Sequence, residues 1–206
     1  MKRILIYGDS NVNGRNFITA TTIPEDKQWP GILKTELGSG YVVYKNGLAG
    51  RLAGECDVAY KERNGRNEFL KIFKEHAPFD IIIIALGTND LQPKYHRNAL
   101  DICEDLYWYK EILYKMYENK TLKDRYFNDK LPEFIYLSPI KVDYQNRARR
   151  MFNHTSNDTR EQLNEIAIDN LENYQILDDV QLFLDGIHLS SAGHNEVAKK
   201  LLKIVK

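Results

Sequence analysis

The sequence predicts an α/β fold in which helices cover both faces of a central parallel sheet. Five short apolar runs rich in Ile, Val, Leu and Tyr recur along the 206 residues, and segments of helical period separate them. The third run, DIIIIAL at residues 80–86, is apolar at consecutive positions, as expected for a strand that is buried on both faces. This alternation indicates right-handed crossovers and a three-layer, doubly wound architecture.

The elements can be assigned in chain order. Pro30 suits the first turn of a helix after the first strand, and Gly38 suits its exit. The segment at residues 118–132 is polar, and it is expected to be either a surface insertion beside a functional site or a long turn. The predicted strands lie at residues 3–7, 41–44, 80–86, 133–137 and 174–177, and further helices are predicted around residues 69–73, 106–116, 163–171 and 190–205.

Composition indicates one core and argues against charged macromolecular ligands. The chain is 43% hydrophobic without a low-complexity tract, so residues 1–206 are expected to form a single domain. Lys plus Arg equals Asp plus Glu at 29 each, which leaves no net field to attract nucleic acid. No run approaches the roughly 20 apolar residues of a membrane span. The expected partner is a small molecule, and a homo-oligomer is compatible with the composition.

Cysteine usage and the amino-terminal residues indicate a reducing compartment. Cys56 and Cys103 have no CxxC spacing, and two cysteines are too few for a disulfide framework. The apolar run near the amino terminus has about five residues, whereas a signal peptide needs a core of roughly 7–15. A cytoplasmic location is therefore expected.

Glycines and small polar residues follow four of the predicted strands. Gly8-Asp9-Ser10 follows the first strand, and Asn46 to Gly50 follow the second. Gly87-Thr88-Asn89-Asp90 follows the third, and the loop after the fifth strand contains Asp185-Gly186-Ile187-His188. Because ligands bind beyond the carboxyl ends of parallel strands, these four loops are expected to converge at one edge of the sheet.

These residue types fit acyl transfer through a serine. The Ser10 hydroxyl is a weak nucleophile, so it needs an adjacent base, for which His188 is the candidate, and Asp185 can orient that imidazole. The tetrahedral intermediate carries an oxyanion that requires fixed donors. The candidate donors are the backbone N–H groups of Ser10 and Gly50 and the side-chain amide of Asn89. A glycine at position 50 lets the backbone approach the substrate closely.

The four blocks together resemble the GDSL-type esterases and lipases of the SGNH hydrolase superfamily. They match in order and approximate spacing over nearly the whole chain, and they are most similar to the bacterial arylesterase and acyltransferase branch. Members of that branch usually continue the Gly-Arg pair with two threonines, where this chain has Leu52-Ala53. The resemblance implies a flavodoxin-like fold, no metal ion or organic cofactor, a catalytic triad of Ser10, Asp185 and His188, and an oxyanion hole of Ser10, Gly50 and Asn89.

The leading hypothesis is a serine esterase that hydrolyses, or transfers, small acyl groups through an acyl-enzyme. Two alternatives stay open. A carbohydrate O-deacetylase or a lysophospholipase of the same superfamily would keep the same four blocks. A non-catalytic flavodoxin-like binding or phosphoacceptor module would instead use Asp9 and Asp90 as acidic-pocket residues. Under the esterase hypothesis, Asp9 stabilises the turn before Ser10.

Several neighbouring residues have two interpretations. Arg51 could contact an anionic group of the substrate or brace the glycine loop. Asn89 could cap a helix instead of binding an oxyanion. Asp185 and His188 could join His194 as metal ligands, but the sequence has no HExxH motif or Cys/His cluster, and a helix-start position is favoured for His194.

Overall fold

A computed structural model describes residues 1–16, 18–145 and 147–206, and within them five parallel strands form one sheet. The strands are β1 (Lys2–Gly8), β2 (Tyr41–Gly47), β3 (Ile81–Ala85), β4 (Glu133–Leu137) and β5 (Tyr174–Gln175). Their order in the sheet is β2-β1-β3-β4-β5, which is the flavodoxin-like order. This confirms the predicted three-layer fold class.

The helices lie on both faces of the sheet. They are α1 (Ser10–Asn13), α2 (Trp29–Leu37), α3 (Gly65–His76), α4 (Ala99–Glu118), α5 (Lys120–Tyr126), α6 (His154–Asn170) and α7 (Ser191–Val205). Apolar residues of α2 and α7 pack with Ile4, Ile6, Ile81 and Ile83 on one face. Apolar residues of α3, α4 and α6 pack on the other face with the alternate strand residues, which include Leu5 and Tyr7.

The register of the three central strands places their carboxyl ends side by side. Gly8, the last residue of β1, pairs with Gly47 of β2 and with Ala85 of β3. The chain leaves all three strands at this level, so the loops that begin at residues 9, 48 and 86 share one edge of the sheet. The sequence-predicted convergence of these loops is therefore a property of the strand register.

The segment at residues 118–132 differs from its prediction. It contains α5, which begins after Asn119, whose side chain accepts a hydrogen bond from the Leu122 N–H. Apolar spacing did not reveal this helix because none of its residues is fully buried and only a few, such as Leu122 and Tyr126, pack against the core from its margin. The segment leads into the amino end of β4, so it lies toward the edge of the sheet opposite the converging loops. Among the described residues, no helix is both long enough and apolar enough to cross a bilayer.

Candidate active site

Ser10 lies in a tight turn that joins β1 to α1. The Asp9 carboxylate accepts a hydrogen bond from the Asn11 N–H at 2.9 Å and so caps the short helix, which is the turn-stabilising role predicted for it. Gly8 has no room for a side chain, since a Cβ would approach Val12 Cγ2 at 2.3 Å and the Ala85 carbonyl oxygen at 2.6 Å. The close packing of this turn fixes the position of Ser10 at the carboxyl end of β1.

The structure brings His188 and Asp185 to Ser10 from the loop before α7. His188 Nε2 lies 3.0 Å from Ser10 Oγ, and His188 Nδ1 lies 2.5 Å from Asp185 Oδ2. The other carboxylate oxygen, Asp185 Oδ1, accepts hydrogen bonds from the backbone N–H groups of Ile187 at 3.1 Å and His188 at 3.0 Å. The three side chains therefore form a continuous hydrogen-bonded chain from carboxylate to imidazole to hydroxyl.

Asp185 is held in its charged form. Only 1% of the residue is exposed, and this burial by itself raises the pKa of the carboxyl. The hydrogen bonds from the His188 ring and from the two backbone N–H groups oppose burial and leave the pKa below its usual value. An ionised carboxylate at this position fixes the orientation of the imidazole and stabilises a positive charge on it.

Gly50 and Asn89 lie on the two neighbouring loops, and hydrogen bonds connect those loops to each other. Gly50 has a φ of +80°, a conformation that favours glycine. Asn89 Nδ2 donates to the Arg51 carbonyl at 3.0 Å, next to Gly50, and Asn89 Oδ1 accepts from Gln92 Nε2 at 3.3 Å. A side-chain amide carries two donor hydrogens, and the bond to Arg51 uses one of them.

Arg51 braces the glycine loop, which decides between the two roles considered for it. Its Nη1 donates to the carbonyl oxygens of Gly8 at 2.9 Å and Asn46 at 3.0 Å. The guanidinium lies 4.1 Å from the centre of the Tyr7 ring, and the residue is only 4% exposed. Arg51 therefore joins the ends of β1 and β2 from the protein interior.

The family model for GDSL-like lipases and acylhydrolases matches residues 4–201. The chain belongs to this family. Family membership makes it a carboxylic ester hydrolase and confirms the predicted enzyme class, so the hypothesis of a non-catalytic phosphoacceptor module is not supported. A search of curated proteins finds no significant match to this GDSL hydrolase.

Solved structures of bacterial esterases share the fold of this GDSL hydrolase. A carbohydrate acetylesterase family member from Sinorhizobium meliloti aligns with a TM-score of 0.83 and 25% identity, over 100% of this chain and 97% of that chain. The native aryl esterase of M. smegmatis aligns with a TM-score of 0.82 and 23% identity, over 100% and 98%. A lipase/acylhydrolase from Enterococcus faecalis aligns with a TM-score of 0.67 and 16% identity, over 100% and 95%.

Asp90 of the GDSL hydrolase supports the chain just after the glycine loop that follows β2, a role that the sequence did not reveal. Both of its carboxylate oxygens accept from the Ala53 N–H, at 2.9 and 3.2 Å. Burial raises the pKa of Asp90 to about 7, against the opposing effects of the Ala53 N–H and the Arg97 guanidinium. The position of Asp90 directly after Asn89 was visible in the sequence, but its backbone partner 37 residues earlier was not.

His194 is buried near the start of α7 and contacts the backbone of α2. Its Nδ1 accepts a hydrogen bond from the Trp29 N–H at 3.2 Å, and the residue is buried. Burial, assisted by the nearby His188, lowers the pKa of His194 to about 4, so its imidazole is neutral. Across the residues that the structure describes, no group of three or more His, Cys, Asp or Glu side chains is arranged to hold a metal ion.

Proposed function

We propose that this GDSL hydrolase is a serine esterase that cleaves small carboxylic esters through an acyl-enzyme on Ser10. The observation that carries the proposal is the contact of His188 with both Ser10 Oγ, at 3.0 Å, and Asp185 Oδ2, at 2.5 Å. This geometry supplies a base within hydrogen-bonding distance of the hydroxyl and a buried carboxylate that orients the base.

In the first half-reaction, Ser10 Oγ attacks the ester carbonyl carbon, and its proton passes to His188 Nε2. The C–O bond to the alcohol then breaks, and the alkoxide leaves with the proton from His188, which leaves an acyl group on Ser10. In the second half-reaction, water attacks the acyl carbon and gives a proton to His188. That proton returns to Ser10 Oγ as the carboxylic acid departs. Asp185 stays ionised throughout and balances the charge on the imidazolium.

Three donors are proposed to stabilise the oxyanion. Ser10 is the first residue of α1, so its N–H needs no partner within the helix and is free to bind the substrate. The Gly50 N–H is the second donor. The Leu48 N–H donates to the Gly8 carbonyl at 3.1 Å, and this bond joins the loop that contains Gly50 to the end of β1, close to Ser10. The second Nδ2 hydrogen of Asn89 completes the set. Such donors stabilise charge that develops only in the transition state.

The candidate substrates differ mainly in the alcohol that the hydrolysis releases. The carbohydrate acetylesterase that shares this fold supports an acetyl group, and its name and that of the aryl esterase differ in the alcohol that is released. We propose an aryl or simple alkyl ester as the first candidate, in keeping with the arylesterase-like blocks. An acetylated carbohydrate is the second candidate, supported by the Sinorhizobium meliloti structure at 25% identity. A panel of aryl acetate, aryl butyrate, acetylated sugar and lysophospholipid, each assayed with the same enzyme, would rank these substrates.

The serine assignment is tested by a chromogenic acetyl ester and a fluorophosphonate label. We expect Ser10→Ala to lower turnover by about 10³-fold or more and to abolish labelling, because the nucleophile is lost. Ser156→Ala is the matched control, since Ser156 is buried in the first turn of α6 and its hydroxyl accepts a bond from the Asn153 N–H. Ester hydrolysis that persists in Ser10→Ala, or a fluorophosphonate label on another residue, would reject the proposal.

We also infer that residues 1–206 act as one hydrolase domain. The proposed site draws residues from near both ends of the chain, with Ser10 after β1 and His188 before α7. The two apolar clusters lie on opposite faces of a single sheet, and the family model spans residues 4–201.

A further inference from the structure

Asn11, the residue after Ser10, makes two hydrogen bonds to the loop that contains His188. Its Nδ2 donates to the Ile187 carbonyl at 3.3 Å, and its Oδ1 accepts from the Leu189 N–H at 2.9 Å. These partners are the residues immediately before and after His188. A single side-chain amide therefore holds the backbone on both sides of the imidazole, although the partners are 176 and 178 residues away in sequence.

Asn11 is itself tightly held. Its own N–H donates to the Asp9 carboxylate at 2.9 Å, and the residue is only 9% exposed. It is adjacent to Ser10 in the same short helix, so a shift of the Asn11 amide relative to Ser10 would require the turn to distort. The Asn11 amide thus ties the His188 loop to the turn that carries Ser10. Backbone bonds anchor the same loop elsewhere, from the Asp143 N–H to the Gly186 carbonyl at 2.8 Å and from the Phe183 N–H to the His188 carbonyl at 2.8 Å.

Few other side chains could replace this amide. The two bonds need one donor and one acceptor at the same branch point, which asparagine supplies. Aspartate would offer only acceptors and would direct one of them at the Ile187 carbonyl. Leucine has a similar shape but neither a donor nor an acceptor, so it would leave both backbone groups of the loop without their partner.

We propose that Asn11 is a positioning residue for the reaction assigned to Ser10, because it sets the register of the His188 loop against the nucleophile. The inference rests on the proposed function. Asp185 orders the same loop from within, through the Ile187 and His188 N–H groups. Asn11 acts differently, because it fixes the loop to the opposite reacting group. A displacement of about 1 Å between reacting groups can reduce turnover by about 10²-fold.

The test compares Asn11→Leu with Asn64→Leu. Asn64 is the matched control because its amide makes the same pair of bonds, donating to the Asp57 carbonyl at 3.0 Å and accepting from the Asp57 N–H at 2.9 Å, and it is 5% exposed. We expect Asn11→Leu to lower kcat for a chromogenic acetyl ester by about 10²-fold with KM within about twofold. Labelling of Ser10 by a fluorophosphonate should slow in parallel, while Asn64→Leu should keep kcat within about threefold of the wild type.

A spectroscopic measurement separates positioning from general stability. The short His188 Nδ1 to Asp185 Oδ2 contact should give a strongly downfield proton resonance. We expect this resonance to shift or broaden in Asn11→Leu and to remain unchanged in Asn64→Leu. If Asn11→Leu does not fold, as judged by circular dichroism, Asn11→Ala is measured in the same way, since it removes both bonds without adding an apolar branch.

The possible failures are distinguishable. A wild-type chain that hydrolyses the ester and is labelled at Ser10, together with an Asn11 variant of unchanged kcat and resonance, would overturn the positioning role alone. Equal losses of kcat in the Asn11 and Asn64 variants would also overturn it, because the effect would then be general. A wild-type chain that neither hydrolyses the ester nor is labelled would overturn both this inference and the proposed function.

Discussion

At the scale of single residues, the environment gives three buried aspartates different properties. Asp185 accepts two backbone N–H groups and an imidazole, which together keep its pKa below the usual value in spite of burial. Asp9 accepts one backbone N–H from Asn11, and burial raises its pKa to about 6. Asp90 accepts the Ala53 N–H, and burial raises its pKa to about 7. Burial raises the pKa of all three carboxyls, and among them the hydrogen bonds outweigh burial at Asp185.

The oxyanion role proposed for Asn89 predicts a loss that falls on turnover. We expect Asn89→Ala to lower kcat by about 10²–10³-fold, since an oxyanion donor acts on charge that forms only in the transition state. Steady-state kinetics with a chromogenic acetyl ester measure the effect.

Asn98→Ala is the control for the Asn89 prediction. Asn98 caps α4 by accepting the Asp101 N–H at 2.9 Å, so its removal should cost about 1 kcal/mol of stability and leave kcat unchanged. An Asn89→Ala enzyme whose kcat matches that of the wild type would contradict the oxyanion role.

The site residues divide into those that the sequence could predict and those that it could not. Ser10, Gly50, Asn89, Asp185 and His188 were identified as candidates because each follows a strand in a loop of distinctive composition. The structure supplied the remaining contacts, in which the side chains of Asn11, Arg51 and Asp90 bind backbone groups. Every residue except proline carries an N–H, so nothing in the sequence indicates that the Leu189 or Ala53 N–H would be the partner.

At the scale of elements, apolar pattern predicted the buried strands and helices better than the exposed ones. The central strand β3 lies within its predicted range because both of its faces are covered. The edge strands deviate more: β2 extends three residues further than predicted, and β5 is limited to Tyr174–Gln175. Helix α5 begins at its Asn119 cap and has no fully buried residue. Its apolar face, with Leu122 and Tyr126, packs only at the margin of the core, so pattern alone could not define it.

Arg160 connects α6 to the ends of two strands. It is fully buried, and its guanidinium donates to the Pro139 carbonyl after β4 at 2.7 Å and to the Leu177 carbonyl after β5 at 3.1 Å. We expect Arg160→Met to reduce the free energy of unfolding by about 2–4 kcal/mol. The Leu177 carbonyl loses its side-chain donor, the Pro139 carbonyl keeps only the Ser138 hydroxyl, and the ion pair with Asp178 is lost. Urea denaturation followed by circular dichroism measures the loss.

Arg125 provides the comparison for Arg160. It lies exposed on α5, so Arg125→Met should change the free energy of unfolding by no more than about 0.5 kcal/mol. If the two variants unfold at the same urea concentration, Arg160 does not contribute the connection inferred from its contacts.

At the scale of the whole molecule, the topology explains why the site lies where it does. The chain passes from β1 to β2 on one side and then returns across β1 to β3 on the other. The loops after β1 and β3 consequently diverge, and a crevice opens at the carboxyl ends of these two strands. Ser10 lies in the loop after β1, on one side of that crevice, and Asn89 lies in the loop after β3, on the other side. The alternation of elements in the sequence was sufficient to predict this edge, whereas the distances across it depend on the three-dimensional contacts described above.

The buried Asp90 makes global stability depend on pH. Its pKa is raised from 3.8 to about 7 in the folded protein, so the folded state binds this proton more tightly than the unfolded state does. The stabilisation is therefore complete below about pH 4 and is lost as the pH rises through about 7. At about 1.4 kcal/mol per pKa unit, the full effect is of the order of 4 kcal/mol.

Asp90→Asn isolates this contribution, because asparagine mimics the neutral carboxyl and keeps an acceptor for the Ala53 N–H. We expect the free energy of unfolding of the variant, relative to the wild type, to increase steadily between pH 4 and pH 8, as measured by urea titrations across that range. Asp169→Asn, at an exposed position of α6, should show no such trend. The difference between Asp90→Asn and the wild type cancels the titration of Asp9 and Asp185, which both proteins share. A difference that stays constant with pH would show that Asp90 is already ionised at acidic pH in the folded protein, and that the Ala53 N–H and Arg97 outweigh its burial.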